Sequence, residues 1–333
     1  MSEMLEMIRT LGDQLRWARD LEPPPVEPAS DLLVAGMGGS GIAGDFGAAL
    51  AVQAHGRVAV HKGYSPLPGW ASRVRPTVLA ISYSGNTEET IDMVAAASAA
   101  GLPIVTITTG GRLAEMTTEA GWPTIGVPAG LQPRAAVGYL VGAVSRLLHS
   151  FGVLPDQSAA LDETADLVDA ATSDGSETWR MASGLAKELT GRITIVYGGG
   201  PISGTAAQRW KTQINENAKM PAWWSLLPEL DHNELVGWET LPSLTRDLLG
   251  IVALTDRSDH PRVGARLDHS SALTESAVPW LAKISSTGDS ELARLMTLTA
   301  SGDLVSWRLA EEAGVDPVPV ATIEKLKKLL VKD

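Results

Sequence analysis

Leu32–Asp45 reads LLVAGMGGSGIAGD: an apolar run, a glycine-rich turn, then small residues that let a helix lie close against the strand before it. The pattern returns at Thr194–Ala207, TIVYGGGPISGTAA. One strand–glycine turn–helix unit is common, but two of them, each opening a half of the chain, point to an internal duplication. Outward from the first, β-rich runs at Asp31–Ala35, Val58–Val60, Thr77–Ser82, Pro103–Thr106 and Thr124–Val127 frame helix-like stretches such as Glu88–Ala100 and Arg134–Phe151. Around the second, helices over 162–171 and 177–189 lead to strands over 192–197, 248–255 and 278–284 and a long helix over 290–313. Leu5, Ile8, Leu11 and Leu15 predict a helix over 1–21, ended by Pro23, Pro24 and Pro25, and a basic amphipathic helix covers 320–331 after Pro317 and Pro319. Alternating βα units imply parallel sheets with helices on both faces. The expected class is therefore α/β, two flavodoxin-like doubly wound halves plus a C-terminal helix. The expected divisions are 1–30, 31–152, 153–314 and 315–333.

Composition narrows the function. The chain has 333 residues, 44 % of them hydrophobic, which suffices for two covered sheets. A net charge of −12 argues against a nucleic-acid partner and means that a phosphate ligand must be held by local donors. No Cys is present, so thiol nucleophiles and zinc–thiolate sites are excluded, and no HExxH or clustered His suggests a metal. The first residues show no h-region and no run approaches a membrane span, so a cytoplasmic protein without a membrane partner is expected.

Gly36-Met37-Gly38-Gly39-Ser40-Gly41 fits the dinucleotide fingerprint, but that motif expects an acid at the end of the next strand, and here stand His61 and Lys62. No cofactor is expected. A tight turn is the plain alternative, and Gly39 and Ser40 remain candidates for substrate contact. The second loop, Ser82-Tyr83-Ser84-Gly85-Asn86-Thr87 before Glu88, is more telling. It sets three hydroxyls (Ser82, Ser84, Thr87), a permissive Gly85 and a helix N-terminus at the carboxyl end of a strand, which suits a phosphate dianion without Lys or Arg. An ordinary helix cap is the competing reading, although a cap needs one hydroxyl.

GxGGS followed by SxSGNTxE resembles the sugar isomerase (SIS) domain. Ala129–Leu140 (AGLQPRAAVGYL), Gln213–Pro221 (QINENAKMP), Pro228–Leu235 (PELDHNEL) and Ser301–Asp316 (SGDLVSWRLAEEAGVD) are similar to the bifunctional phosphoglucose/phosphomannose isomerase family, in order, from Asp31 onward. The resemblance implies two SIS subdomains, a metal-independent aldose–ketose isomerase acting on sugar 6-phosphates, and a homodimer with shared active sites. Such chemistry needs one base reaching C1 and C2, a cation or donors at the enediolate oxygens, and an acid/base pair to open the ring. Glu216, in the helical run 208–219 between Asn215 and Asn217, is the candidate base; a solvated helix glutamate is its bland reading. His232 lies among Trp223, Trp224, Glu229, Asp231 and Glu234, an acidic setting that favours proton shuttling. Its alternative is a surface loop histidine. By resemblance His232 comes from the partner subunit, Arg134 is the cation beside the enediolate, and Lys327 (or Lys325) assists ring opening. Val318 follows Asp316-Pro317 where relatives with phosphomannose activity commonly carry Thr, which puts the mannose epimer in question. A regulator that binds a sugar phosphate without turnover, or an amino-sugar isomerase or epimerase, would share the Ser/Thr loop but need not share Glu216 and His232.

Overall fold

A computed structural model describes residues 2–330. Among the described residues nine strands form two sheets: β1 (Asp31–Ala35), β2 (Arg57–His61), β3 (Thr77–Ser82), β4 (Ile104–Thr108) and β5 (Thr124–Gly126), then β6 (Ile193–Gly198), β7 (Ala222–Leu226), β8 (Leu249–Thr255) and β9 (Trp280–Ser285). The sheet orders are β2-β1-β3-β4-β5 and β7-β6-β8-β9, and every pairing is parallel. The second order repeats the first four positions of the first, so the duplication read from the glycine turns extends to topology. In both sheets the connections diverge between the first and third strands of the half, β1/β3 and β6/β8. In open α/β sheets ligands bind at such points, outside the carboxyl ends of the strands. The central strands are short apolar runs covered on both faces, with Leu32–Ala35 and Val78–Ser82 buried throughout.

One hydrophobic cluster runs through both halves. Its axis is the helix Glu291–Glu312, buried along nearly its whole length and packed on the helices Ser158–Thr172, Glu177–Leu189 and Pro201–Gln213. The expected N-terminal helix is two, Glu3–Arg9 and Leu11–Arg19, broken at Thr10, whose hydroxyl donates to the Met7 carbonyl. Both pack on helices of the second half. Three further differences bear on the site. The edge strand β7 was not expected. The helix expected from Arg134 begins at Val137, leaving Arg134 in a buried turn. The C-terminal helix spans Ala321–Leu330 and buries none of its residues, Val331 lying outside the described residues. Among the described residues, no helix is long and apolar enough to cross a membrane.

Candidate active site

The loop after β3 is fixed by close approach. Gly85 sits at φ +70°, and a Cβ there would lie 1.7 Å from the Gly110 carbonyl, so only glycine fits. The three hydroxyls do not act alike. Ser82 is fully buried and donates to Thr87 Oγ1 at 2.9 Å, so it orients Thr87 instead of facing solvent. Ser84 is exposed, its Oγ accepting from the Asn86 N–H at 3.3 Å. Thr87 is the N-cap of the helix Glu88–Ala99, yet its side chain makes no capping bond. The N-terminal N–H groups of that helix therefore lack the usual side-chain acceptor. Ser40 binds this loop to the first glycine turn by accepting from the Tyr83 N–H at 3.1 Å. Gly39 permits the same turn to meet the segment before Arg134: its Cβ would stand 2.9 Å from the Pro133 carbonyl.

Arg134 and Glu216 come together from opposite halves, Arg134 Nη1 lying 3.6 Å from Glu216 Oε2. The run expected as regular helix ends at Gln213 and widens into a π-turn, Ile214–Ala218, with Glu216 at its centre. Such turns insert a residue and re-aim side chains, and they are frequent at functional sites. Here Asn217 turns inward, accepting from Arg134 Nε at 2.7 Å and donating to Ser306 Oγ at 3.0 Å. Glu216 keeps 29 % of its side chain exposed. Burial holds the Arg134 guanidinium below its ordinary value, and the Glu216 carboxylate pulls it back up.

A buried polar network supports this pair. Arg209 donates to both Asp303 oxygens, at 3.0 and 2.8 Å, and also to the Arg134 carbonyl at 3.0 Å. Gln213 Nε2 joins Asp303 at 2.9 Å, and Gln14 Nε2 pins the Ala135 carbonyl at 2.8 Å. Burial pushes the Asp303 carboxyl up, opposed by the Arg209 charge and the hydrogen bonds from Arg209 and Gln213. Sequence reasoning missed Arg209, Asp303 and Gln14; Asp303 lay in a quoted motif without a role.

The lysine beside the site is also a residue the sequence reading passed over. Lys219, left-handed at φ +57°, donates through Nζ to the carbonyls of Glu216, Pro317 (3.1 Å) and Pro319 (2.7 Å). Arg134 Nη2 donates to Pro317 and Val318 at 2.7 and 2.8 Å. Two cations thus hold the segment 317–319 beside Glu216. Burial, and then the Arg134 charge, push the Lys219 ammonium down. Lys325 and Lys327, by contrast, are exposed on the C-terminal helix and make no hydrogen bond or ion pair among the described residues.

His232 ends a short 3₁₀ turn, Glu229–His232, beyond β7, and is exposed without a hydrogen bond or ion pair among the described residues. The acidic setting expected for it is directed elsewhere. Asp231 accepts from Arg266 at 3.0 Å and Ser270 at 2.9 Å, Glu234 accepts from the Tyr197 hydroxyl, and Glu229 accepts from Asn233 at 3.3 Å. Within one chain the structure brings together Ser40, the Ser82–Thr87 loop, Arg134 and Glu216, and does not link His232, Lys325 or Lys327 to them by any such bond. Among the described residues no group of three or more His, Asp or Glu is placed to hold a metal ion.

The paired parallel sheets and the hydroxyl loop at a strand's carboxyl end define a double-SIS protein. A hypothetical protein of Thermus thermophilus shares the fold with a TM-score of 0.74 at 16 % identity, over 99 % of this chain and 90 % of that one. Residues 180–330 match the bacterial phospho-glucose isomerase C-terminal SIS domain. The curated bifunctional phosphoglucose/phosphomannose isomerase of Caldicellulosiruptor bescii is 36 % identical over 99 % of both chains. That of Aquifex aeolicus is also 36 % identical, over 100 % of this chain and 99 % of its own. The chain belongs to the bifunctional phosphoglucose/phosphomannose isomerase family.

Proposed function

We propose that the protein interconverts glucose 6-phosphate and fructose 6-phosphate by ring opening and proton transfer through a cis-enediol. The observation carrying this reading is the Glu216 carboxylate 3.6 Å from the Arg134 guanidinium, on a π-turn that leaves the carboxylate partly open. Glu216 takes the C2 proton of the open-chain aldose, and the electron pair forms the C1–C2 double bond as the C1 carbonyl pair moves onto O1; the O2 proton passes to O1, the C2 carbonyl forms, and the C1–C2 pair takes the proton back from the same carboxylic acid at C1. Arg134 Nη1 faces the enediolate oxygens, where a fixed cation in a dry site stabilises developing charge. The phosphate binds at Ser84, Thr87 and the uncapped helix start, with Ser40 and Gly39 shaping the opposite wall. A regulator without turnover would need the loop but no carboxylate beside a buried guanidinium. A coupled assay that detects fructose 6-phosphate formation from glucose 6-phosphate tests the reading, and mannose 6-phosphate in the same assay reports how Val318 is tolerated. No turnover of either sugar by folded protein would sink it.

Ring opening is assigned to His232 of a second copy. Support comes from the isolation of His232 within one chain and from the surface around it. Trp223 and Trp224 stand exposed on the edge strand β7, Val236, Leu241 and Leu244 are exposed just beyond, and Ile323, Leu326 and Leu330 line the C-terminal helix. A solvent-facing edge strand with this much apolar surface calls for a cover.

Ser84→Ala/Thr87→Ala should weaken inhibition by inorganic phosphate at least about tenfold while leaving the circular dichroism spectrum unchanged. Each hydrogen bond to a charged group contributes about 1.5–3 kcal/mol. Equal inhibition constants in the two proteins would remove the loop from the site.

A further inference from the structure

The shared strand order makes the two halves comparable position by position. In the first, five residues (83–87) separate β3 from the helix Glu88–Ala99; in the second, five residues (256–260) separate β8 from the helix Pro261–Thr274. Thr87 and His260 are the two N-caps. The serines that reach these loops also correspond: Ser40 and Ser203 are each the third residue of the helix after the half's first strand. The second half therefore places a loop of equal length and a serine of equal helix position where the first half has its hydroxyl loop and Ser40.

Its chemistry is reversed. Asn86 of the first loop corresponds to Asp259, and the Asp259 carboxylate lies over the second glycine turn. Ser203 Oγ donates to it, within 3.1 and 3.0 Å of its two oxygens, and the Asp256 N–H donates at 2.8 Å. A Cβ on Gly200 would come within 2.3 Å of Asp259 Oδ1, so the carboxylate rests directly against the glycine backbone. The helix start is closed as well. Thr87 makes no capping bond, whereas His260 Nδ1 accepts from the Arg262 N–H at 3.1 Å. Burial and, less strongly, the neighbouring Asp256 charge push the Asp259 carboxyl up, and the hydrogen bonds from the Asp256 N–H and Ser203 offset only part of that rise.

We infer that the second half retains an anion seat which the chain fills with its own Asp259 carboxylate, so that each chain offers sugar phosphates one seat, in the first half. Ser203 ties the glycine turn to Asp259, accepting from the Gly199 and Gly200 N–H groups at 2.9 and 3.0 Å while donating to the carboxylate, whereas Ser40 ties its turn to the first loop by accepting from the Tyr83 N–H. A crevice of about 380 Å³ bordered by Gly199, Gly200, Ser258, Asp259, Arg262 and Arg266 adjoins the seat, so an outside anion has room once the carboxylate is gone. The inference rests on the phosphate reading of residues 82–87 for its comparison, but its test is separate.

Inorganic phosphate titrated into isotopically labelled full-length protein, followed amide by amide by NMR, distinguishes the two. In the wild type, saturable shifts are expected at Gly85, Thr87 and Glu88, and none at Gly199, Gly200 or Ser203. In Asp259→Ser, which substitutes a hydroxyl for the carboxylate, saturable shifts should appear at Gly199 and Gly200 as well. Should Asp259→Ser not fold, Asp259→Ala also empties the seat and is expected to show the same gain. Wild-type shifts at Gly199 and Gly200, or a folded Asp259 variant in which they stay silent, overturn the inference. Silence at residues 85–88 alone overturns the phosphate loop instead, and the Asp259 arm still decides the second seat.

Discussion

Glu216→Gln is expected to lower the turnover number by about 10²–10⁴, the usual scale for a positioned acid/base, while phosphate inhibition stays near the wild-type value. The amide keeps the size and the contact with Arg134 but cannot accept the C2 proton. Arg134 remains held by Asn217, Pro317 and Val318, so the site does not collapse with the substitution. A near-normal rate would remove Glu216 from the chemistry. His232→Ala should depress turnover of cyclic sugar more than of the open-chain form. Mixing the two inactive proteins under conditions of subunit exchange should then restore activity, because a mixed dimer assembles one site with both residues intact. Confirmed exchange without recovery would refute a site shared between copies.

Asp303→Leu should destabilise the protein by about 3–5 kcal/mol, because it leaves the Arg209 charge buried without its partner. The ion pair is closed to solvent, with side-chain exposures of 1 % for Arg209 and 5 % for Asp303. Arg209→Met/Asp303→Leu should recover much of that loss in urea unfolding, since apolar groups of similar volume often replace a buried pair without cost. Activity should not recover with stability, because Arg209 also donates to the Arg134 carbonyl and places the guanidinium that meets Glu216. A stable double variant with wild-type turnover would show that the network serves stability alone.

Strands built from contiguous apolar runs, β1, β3, β6 and β8, were legible because both faces are largely buried and the run itself is the signal. The edge strand β7 was not: Ala222–Leu226 exposes Trp223, Trp224 and Leu226, so no alternation marks it. The loop 82–87 stood out as a candidate because hydroxyls, glycine and helix start are adjacent in the chain. The π-turn could not be read, since Ile214–Ala218 contains nothing a regular helix would refuse. Arg209 and Asp303 are 94 residues apart, and only folding pairs them. The exchange of Asn86 for Asp259 becomes visible only when the strand orders equate two loops whose sequences share no motif.

The docking of the first helix has a consequence for synthesis. Met4, Leu5 and Ile8 of Glu3–Arg9 are buried, that helix packs on Glu291–Glu312, and Trp307 Nε1 donates to Ser2 Oγ at 2.7 Å. Glu3–Arg9 is therefore synthesised long before the helix Glu291–Glu312 that covers its apolar face. Chains otherwise tend to complete domains from the N-terminal end as they emerge. Here the first sheet can form early, but the seam between Glu3–Arg9 and Glu291–Glu312 closes only after translation has passed the long helix, and until then the nascent chain carries an adhesive face at Met4, Leu5 and Ile8.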